Sequence, residues 1–114
     1  MNDNILAAKL FKLKDKIDDP VLLTIKSAQL LKGADLDNVL EAYQAILRKE
    51  LTIVDVTSAL ELAQEQKLQI VKAINDKFNK LQLVYVFTVD AKMSGLIIKL
   101  DDNVVDFSST FKNL

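Results

Sequence analysis

The chain has 114 residues, of which half are apolar and 27% are charged, an ordinary composition for a globular protein. Fifteen basic and sixteen acidic residues give a net charge of −1, which argues against nucleic acid or an anionic membrane as the main partner. The chain has neither cysteine nor histidine, which excludes disulfides, thiolate chemistry and the commonest general acid–base and metal-binding side chain.

We expect no targeting segment at the start of this sequence. Residues 1–4 lack the basic opening of a signal peptide and the Arg-rich character of a transit peptide. No apolar run approaches the length of about eighteen residues that a membrane helix needs. We therefore expect a protein of a bacterial-type cytoplasm.

Residues 4–17 are predicted to form an amphipathic helix. Its large apolar residues recur at helical spacing and share one face: Leu6, Leu10, Leu13 and Ile17. Lysines at positions 9, 12 and 16 line a neighbouring face. This row could dock on an acidic partner or on anionic lipid, but such rows usually only keep a helix solvated, and we prefer that interpretation.

A second helix is predicted over residues 20–32. Pro20 suits the first position of a helix, and Asp19 before it can cap the free N–H groups. The helix is apolar almost all round, so we expect neighbouring elements to bury it on several sides. Gly33 stands where a left-handed C-terminal cap belongs.

A third helix is predicted over residues 36–49, capped by Asp35. We interpret four residues of its apolar stripe as candidate partner-binding residues: Leu36, Val39, Leu40 and Tyr43. Tyrosine is favoured at the centre of protein interfaces, which would make Tyr43 an anchor. The alternative, which we prefer because Tyr43 stands in a regular stripe, is a core residue whose hydroxyl lies at the rim.

After Glu50 the apolar period changes from helical to extended. We predict a strand over residues 51–57, a helix over 63–80, a central strand over 83–89 covered on both faces, and a hairpin. The hairpin joins 96–100 to 103–105 through a polar turn, and Ser108 could start a short final helix. The predicted fold is α+β: a three-helix unit at 1–50, then a β-α-β-β-β module at 51–114.

Acidic residues near the C-terminus raise the possibility of a cation site. Asp101, Asp102 and Asp106, with Asp90 as a fourth candidate, could gather a divalent ion. A polar hairpin turn explains them better, because acidic turn residues are common and no EF-hand spacing is present. Phosphate-loop, nucleophile-elbow and dinucleotide motifs are also absent. We expect no catalytic residue, no metal and no cofactor.

The order of motifs in the second half resembles the C-terminal region of the delta subunit of F-type ATP synthase, the oligomycin-sensitivity-conferring protein of mitochondria. The matching positions are Val56, Thr57, Ser58, Ala59, Leu62, Gln66, Val89, Asp90, Gly95, Lys99, Asp106 and Ser108. Leu36, Val39, Leu40 and Tyr43 are similar to the last N-terminal helix of that family. The resemblance covers residues 35–114.

Three positions depart from the family pattern. Ala63 stands where a Ser or Thr would pair with Gln66 in a capping box. Ser58 with Glu61 offers another box five residues earlier, so the helix could start sooner than the pattern implies. Ser94 and Phe107 replace glycines, and the close glycine pair would suit a place where backbones approach each other.

The resemblance implies a non-catalytic stator subunit, peripheral on the inner face of the bacterial plasma membrane. In the family, a six-helix bundle grips N-terminal helices of the alpha subunits, and the C-terminal module holds the end of the b-type stalk. Only fifty-five residues precede Val56 here, so we expect the helical unit to take one partner helix. Two alternatives stay open: a stator-like regulator of type III export ATPases, which normally has a long helical arm, and a generic helical adaptor.

Overall fold

The computed structural model describes residues 2–92, 95–100 and 103–105, the last three by their backbone alone. Within these ranges the chain forms four helices and four strands. It divides into two compact units, Met1–Leu51 and Thr52–Leu114. The first is helical and the second holds a sheet with one helix, so the predicted α+β class is confirmed.

Polar caps set the three helices of the first unit, α1 (Asp3–Lys16), α2 (Pro20–Leu30) and α3 (Leu36–Leu47). Each helix follows an Asn or Asp whose side-chain oxygen accepts a backbone N–H from the first turn. The three cap bonds are Asn2 with Asn4 at 2.7 Å, Asp19 with Val21 at 2.9 Å, and Asp35 with Asn38 at 3.3 Å.

The core of the helical unit lies between α1 and α3. Its buried residues are Leu6, Ala7, Ala8, Val39, Ala42 and Ile46. The two alanines of α1 let the helices approach closely, and the rings of Phe11 and Tyr43 meet at 6.1 Å between centroids. Of the apolar face predicted for α1, only Leu6 is fully buried. Leu10, Leu13 and Ile17 are half-buried.

The expectation that α2 is buried on several sides is wrong for this chain. No residue of α2 is buried. Val21, Leu22 and Ile25 expose 69%, 43% and 50% of their surface. A helix that is apolar all round needs neighbours on more than one side. Among the described elements, α1 alone packs against α2 to an appreciable extent.

Two left-handed residues end the second and third helices. Gly33 has φ +77° after α2, which is the capping role predicted for it. Lys49 has φ +61° after α3, a conformation that side chains with a Cβ atom rarely adopt. The turn at Lys49 lets Glu50 and Leu51 donate their N–H groups to the carbonyl of Ala45, at 2.9 and 3.2 Å.

The second unit consists of β1 (Thr52–Ser58), α4 (Gln64–Lys77), β2 (Leu83–Val89), β3 (Leu96–Leu100) and β4 (Asn103–Val105). The sheet order is β2-β1-β3-β4. β1 runs parallel to β2 and antiparallel to β3, and β3 and β4 form the predicted hairpin. The predicted short helix from Ser108 lies outside the described residues.

Helix α4 covers one face of the sheet. The buried cluster between them comprises Val54, Val56, Ile70, Ile74 and Ile98. Half-buried Tyr85 and Phe87 on β2 pack against this cluster, while Val84 and Val86 on its other face are also buried. The central position predicted for β2 is nevertheless wrong, because β1 is central and β2 is an edge strand of the described sheet. Apolar residues on both faces of a strand indicate that other elements cover both faces. They do not indicate whether the strand is central or at the edge of the sheet.

Candidate functional site

One edge of the sheet gathers the ends of four elements of the second unit. β1 and β2 are parallel, so both end at this edge, whereas the antiparallel β3 begins there. In the register of the sheet, Ser58 lies opposite Val89 on one side and opposite Leu96 on the other. Helix α4 begins six residues after Ser58, close to the same edge.

Hydrogen bonds fix the backbone at this edge. Asp90 donates its N–H to the carbonyl of Ser58 at 2.8 Å, and Ala59 donates to the carbonyl of Gly95 at 3.3 Å. The Ser58 hydroxyl, which is buried, donates to the carbonyl of Leu60 at 2.6 Å. The loop between β1 and α4 is therefore held by the residue before β3 and by the serine that ends β1.

Helix α4 begins where the family pattern places it. Ala63 is its N-cap, and the Gln66 side-chain oxygen accepts the Ala63 N–H at 2.8 Å. Alanine has no oxygen for the reciprocal bond, so only half of a capping box forms. The alternative start at Ser58 is wrong, because Ser58 is the last residue of β1 and its hydroxyl is bonded within the loop.

A groove opens between the loop and the start of β3, with a cavity volume of about 270 Å³. We call it the motif groove and define it by the residues that line it: Ser58, Ala59, Leu60, Glu61, Leu62, Gln66, Gly95 and Leu96. Leu60 exposes 79% of its surface, while Leu62 is half-buried against the core. The groove is lined mainly by apolar groups, with the Glu61 carboxylate and the Gln66 amide among them. Such a lining suits the binding of an apolar side chain.

Five of the predicted motif positions line this groove: Ser58, Ala59, Leu62, Gln66 and Gly95. Gly95 has φ +83°, and a Cβ atom there would meet no atom within 4 Å. The glycine is thus required by backbone conformation and not by the close approach of another backbone, as the sequence had suggested. Leu60 and Glu61 line the groove too, and the spacing of the motif gave no signal for them.

The other motif positions lie elsewhere. Val56 is in the core, and half-buried Thr57 pairs with β2 and β3 inside the sheet. Val89 and Asp90 are exposed at the end of β2. Lys99 is exposed and lies opposite Asp55 in the register of β3 with β1, away from the groove. Asp106 and Ser108 lie outside the described residues.

The candidate partner-binding residues of α3 divide between core and surface. Val39 is buried against α1, whereas Leu36 and Leu40 expose 60% and 56% of their surface. Half-buried Tyr43 borders them and contacts Phe11. Leu47, which the sequence had not singled out as a partner-binding residue, continues the same row and is exposed. We call Leu36, Leu40, Tyr43 and Leu47 the leucine stripe, since their spacing of four, three and four places them on one flank of α3.

Of the four acidic residues considered as a cation site, Asp90 alone lies in the part of the chain that the structure describes. Asp90 is exposed, and its carboxylate accepts the backbone N–H of Lys92 at 3.0 Å, which is a turn-forming role. Asp101, Asp102 and Asp106 lie outside the described residues. Within those residues no three acidic side chains come together as a metal site would require.

Among the described residues of the second unit, Tyr85 has a shifted pKa. The Tyr85 hydroxyl donates to the Asn75 side-chain oxygen at 2.5 Å and lies 3.3 Å from the carbonyl oxygen of Val71. Burial disfavours the phenolate and raises the pKa of Tyr85 to about 12. Both partners belong to α4, so Tyr85 joins that helix to the edge strand β2.

Comparison with known proteins identifies the group to which the chain is similar. The family model of the ATP synthase delta (OSCP) subunit matches residues 12–112. ATP synthase subunit delta of Rickettsia peacockii (strain Rustic) is 28% identical over 113 residues, and that of Rickettsia conorii (strain ATCC VR-613 / Malish 7) is 29% identical over 113. Each alignment covers 94% of this chain and 60% of the relative.

These findings confirm the family resemblance inferred from the motifs. The match also begins at residue 12, well before the first motif position at Leu36. The chain spans about 60% of the length of the curated relatives it matches. No helix in residues 2–92 or the other described ranges has the length and apolarity needed to cross a bilayer.

Proposed function

The chain belongs to the ATP synthase delta (OSCP) subunit family, and we propose that it is a non-catalytic stator subunit of an F-type ATP synthase. In this role it links the catalytic head to the b-type peripheral stalk and needs no cofactor. The observation that carries the proposal is the convergence of Ser58, Ala59, Leu62, Gln66 and Gly95 on one groove. We place it peripherally, on the inner face of the bacterial plasma membrane.

The sheet unit has the construction that a connector under torque needs. Its core is filled by β-branched residues from β1, α4 and β3. Such side chains have few alternative rotamers, so the packed core resists deformation. The loop next to the motif groove is bonded to the residue before β3, and the end of β1, where the loop begins, is bonded to the residue after β2. A load applied at the groove would therefore pass directly into the sheet.

We assign the motif groove to the b-type stalk. An apolar side chain of the stalk would enter between Leu60 and Leu62 and remove both from water. Gln66 uses its amide oxygen to cap α4, which leaves its amide N–H groups to donate to the partner backbone. Glu61 at the rim would contribute more to orientation than to affinity, because exposed charge pairs contribute little.

We assign the leucine stripe to an N-terminal helix of an alpha subunit. The stripe follows the whole of α3, whose twelve residues span about 18 Å. One amphipathic helix could lay its apolar face along such a row. Nucleic acid is not expected as a partner, because acidic and basic residues nearly balance.

The experiment measures binding of the whole chain to two probes by calorimetry: the soluble part of a b-type stalk subunit and an alpha N-terminal helix peptide. We expect Leu60→Glu to weaken stalk binding at least about 100-fold and to leave the peptide affinity unchanged, because a charge would enter a desolvated pocket. Leu40→Glu should have the reverse effect. Leu68→Glu is the matched control, since Leu68 is an exposed leucine of α4 that belongs to neither surface.

The result that would overturn the proposal is a folded wild-type chain that binds neither probe. Binding to an export ATPase in place of both would favour the export-ATPase regulator considered from the sequence. The family match favours the ATP synthase, and the described residues add no observation that favours the regulator.

A further inference from the structure

Strand β2 has a row of backbone hydrogen-bonding groups with which no described strand pairs. Its bonds to β1 begin where Thr52 donates its N–H to the carbonyl of Gln82. They end where Asp90 donates its N–H to the carbonyl of Ser58. Alternate residues of a strand direct their N–H and C=O groups to opposite sides, so the even-numbered residues bond to β1. The groups directed to the outer edge of the sheet therefore belong to Leu83, Tyr85, Phe87 and Val89.

This edge lacks the features by which natural proteins prevent pairing with another chain. Those features are short edge strands, charged residues, prolines and bulges. β2 has seven residues, none of them charged, proline or glycine, and it stays in register with β1 from end to end. Leu81 just before the strand and Val89 at its end expose 45% and 52% of their surface. The edge can therefore accept a further strand and gain apolar contacts.

The same strand of a second copy fits this edge. The two strands would run antiparallel, with Tyr85 opposite Tyr85 of the second copy. Each outward-directed Leu83 then lies opposite Phe87, which makes a hydrogen-bonded pair. Leu83 and Phe87 both pack against the core under α4, so this aliphatic–aromatic pair extends the face that α4 covers. Leu81 comes opposite Val89, so each covers the other.

Charged residues beside the strand favour this register over its neighbour. With Tyr85 at the centre, Lys80 before β2 comes opposite Asp90 after it, once on each side of the axis. A register centred on Val86 would pair the whole strand but would set Lys80 opposite Lys92. Opposite charges stabilise a strand pair and like charges destabilise it. The charge pattern therefore favours the register centred on Tyr85.

We propose that two copies of this chain pair through β2, antiparallel about a two-fold axis at Tyr85, and join their sheets into one. A two-fold contact uses the same edge of both copies, so the assembly closes as a dimer. The dimer does not depend on the function proposed above. β2 lies on one side of β1 and the motif groove on the side of β3, so this pairing does not use the groove.

The first experiment measures the mass of the full chain in solution by sedimentation. We expect a dimer with a Kd on the order of 10 μM, as suits a small interface. Val89→Pro should weaken it at least about 10-fold, because proline removes an outward-directed N–H and leaves the bonds to β1 intact. Val89→Thr is the matched control, since it keeps the N–H and a β-branched side chain, and should leave the Kd unchanged. Circular dichroism verifies that both variants fold.

The second experiment reverses the charges beside the strand. Lys80→Glu alone and Asp90→Lys alone should each weaken the dimer about 10-fold, since two symmetric pairs become repulsive. An equimolar mixture of the two variants should recover dimers that hold one copy of each, because both contacts then join opposite charges. Lys92→Glu is the control and should leave the Kd unchanged, whereas it would strengthen a dimer centred on Val86.

Three results would overturn the proposal. The wild-type chain could be monomeric even at about 1 mM, far above the expected Kd. It could form a dimer that Val89→Pro weakens no more than Val89→Thr does. The mixture of charge variants could dimerise no better than either variant alone. None of these results involves a motor subunit, so each is distinguishable from a failure of the stator proposal.

Discussion

The two units of this chain differ in how completely they bury their own apolar residues. The sheet unit encloses Val54, Val56, Ile70, Ile74 and Ile98 between β-strands and α4. The helical unit encloses a core between α1 and α3, in which three of the buried residues are alanines, and leaves every residue of α2 at least partly exposed. The sheet unit therefore holds its helix against a buried cluster, whereas the helical unit contains one helix, α2, without a buried residue. The comparison separates residues that stabilise the fold from residues that are available to partners.

The largest predicted effect is a loss of folding stability, and it is found by making the same substitution in both units. Ile70→Ala removes a side chain that is 0% exposed, and Ile25→Ala removes one that is 50% exposed. We expect Ile70→Ala to lower the free energy of unfolding by about 3 kcal/mol and Ile25→Ala by less than about 1 kcal/mol. Urea unfolding followed by circular dichroism measures both. Equal losses would mean that α2 is packed as tightly as α4.

A smaller effect is predicted for the hydroxyl that joins β2 to α4. Tyr85→Phe removes the bond to Asn75 and should cost about 1 kcal/mol at neutral pH. Burial raises the pKa of folded Tyr85 to about 12, above the 10 of the unfolded chain. The unfolded state therefore loses its proton first, so this stabilisation is complete below pH 10 and declines as pH rises towards 12.

Denaturant unfolding at pH 9, 10 and 11 measures that decline. The wild-type chain should lose stability over this range through Tyr85, and Tyr85→Phe should lose less. Tyr43→Phe in the helical unit is the matched control and should keep the wild-type slope, because it leaves Tyr85 in place. If Tyr85→Phe and wild type had parallel pH profiles, burial of this hydroxyl would not be the cause.

Completing the cap of α4 should stabilise the sheet unit modestly. Ala63→Ser supplies the oxygen that the capping box lacks, while Gln66 already accepts the Ala63 N–H. We expect a gain of about 1 kcal/mol and a higher melting temperature. Ala63→Val is the control, because valine has no side-chain oxygen. A melting temperature that Ala63→Ser leaves unchanged or lowers would show that the helix gains nothing from the second bond.

The smallest predicted effect lies at the end of α3, in the helical unit. Lys49 has φ +61°, which glycine adopts without steric cost. Lys49→Gly should stabilise this unit by about 0.5 kcal/mol, after allowance for the greater freedom of glycine in the unfolded chain. Lys49→Ala removes the charge but keeps the Cβ atom, so it should not stabilise. Thermal melting of the two variants in parallel would compare them, and equal shifts would contradict the conformational explanation.

Local chemistry made much of the fold predictable from the sequence. Asp19 with Pro20, and Asp35, fixed the starts of α2 and α3, because a cap acts on residues next to it in the chain. The alternation from Leu83 to Val89 gave the strand β2. The predictions that α2 is buried and that β2 is central were wrong. Both properties depend on which elements, distant in sequence, pack against the helix or pair with the strand.

The motif groove was only partly predictable. The family pattern named Ser58, Gln66 and Gly95 separately, and the antiparallel pairing of β1 with β3, together with the start of α4, brings them to one edge. The sequence gives no signal for Leu60. This residue matters because it is exposed at the rim of the groove, and exposure is a property of the folded chain. The same limit hid Leu47 at the end of the leucine stripe.

The central claim is that the sheet unit offers the motif groove to a b-type stalk. Amide hydrogen exchange of the full chain, with and without a soluble b-type stalk subunit, tests it most directly. We predict slower exchange on binding in the loop from Ala59 to Gln66, and unchanged exchange in the exposed part of α4 beyond Leu68. A bound stalk that leaves the loop unprotected, and protects another surface of the chain, would contradict the account.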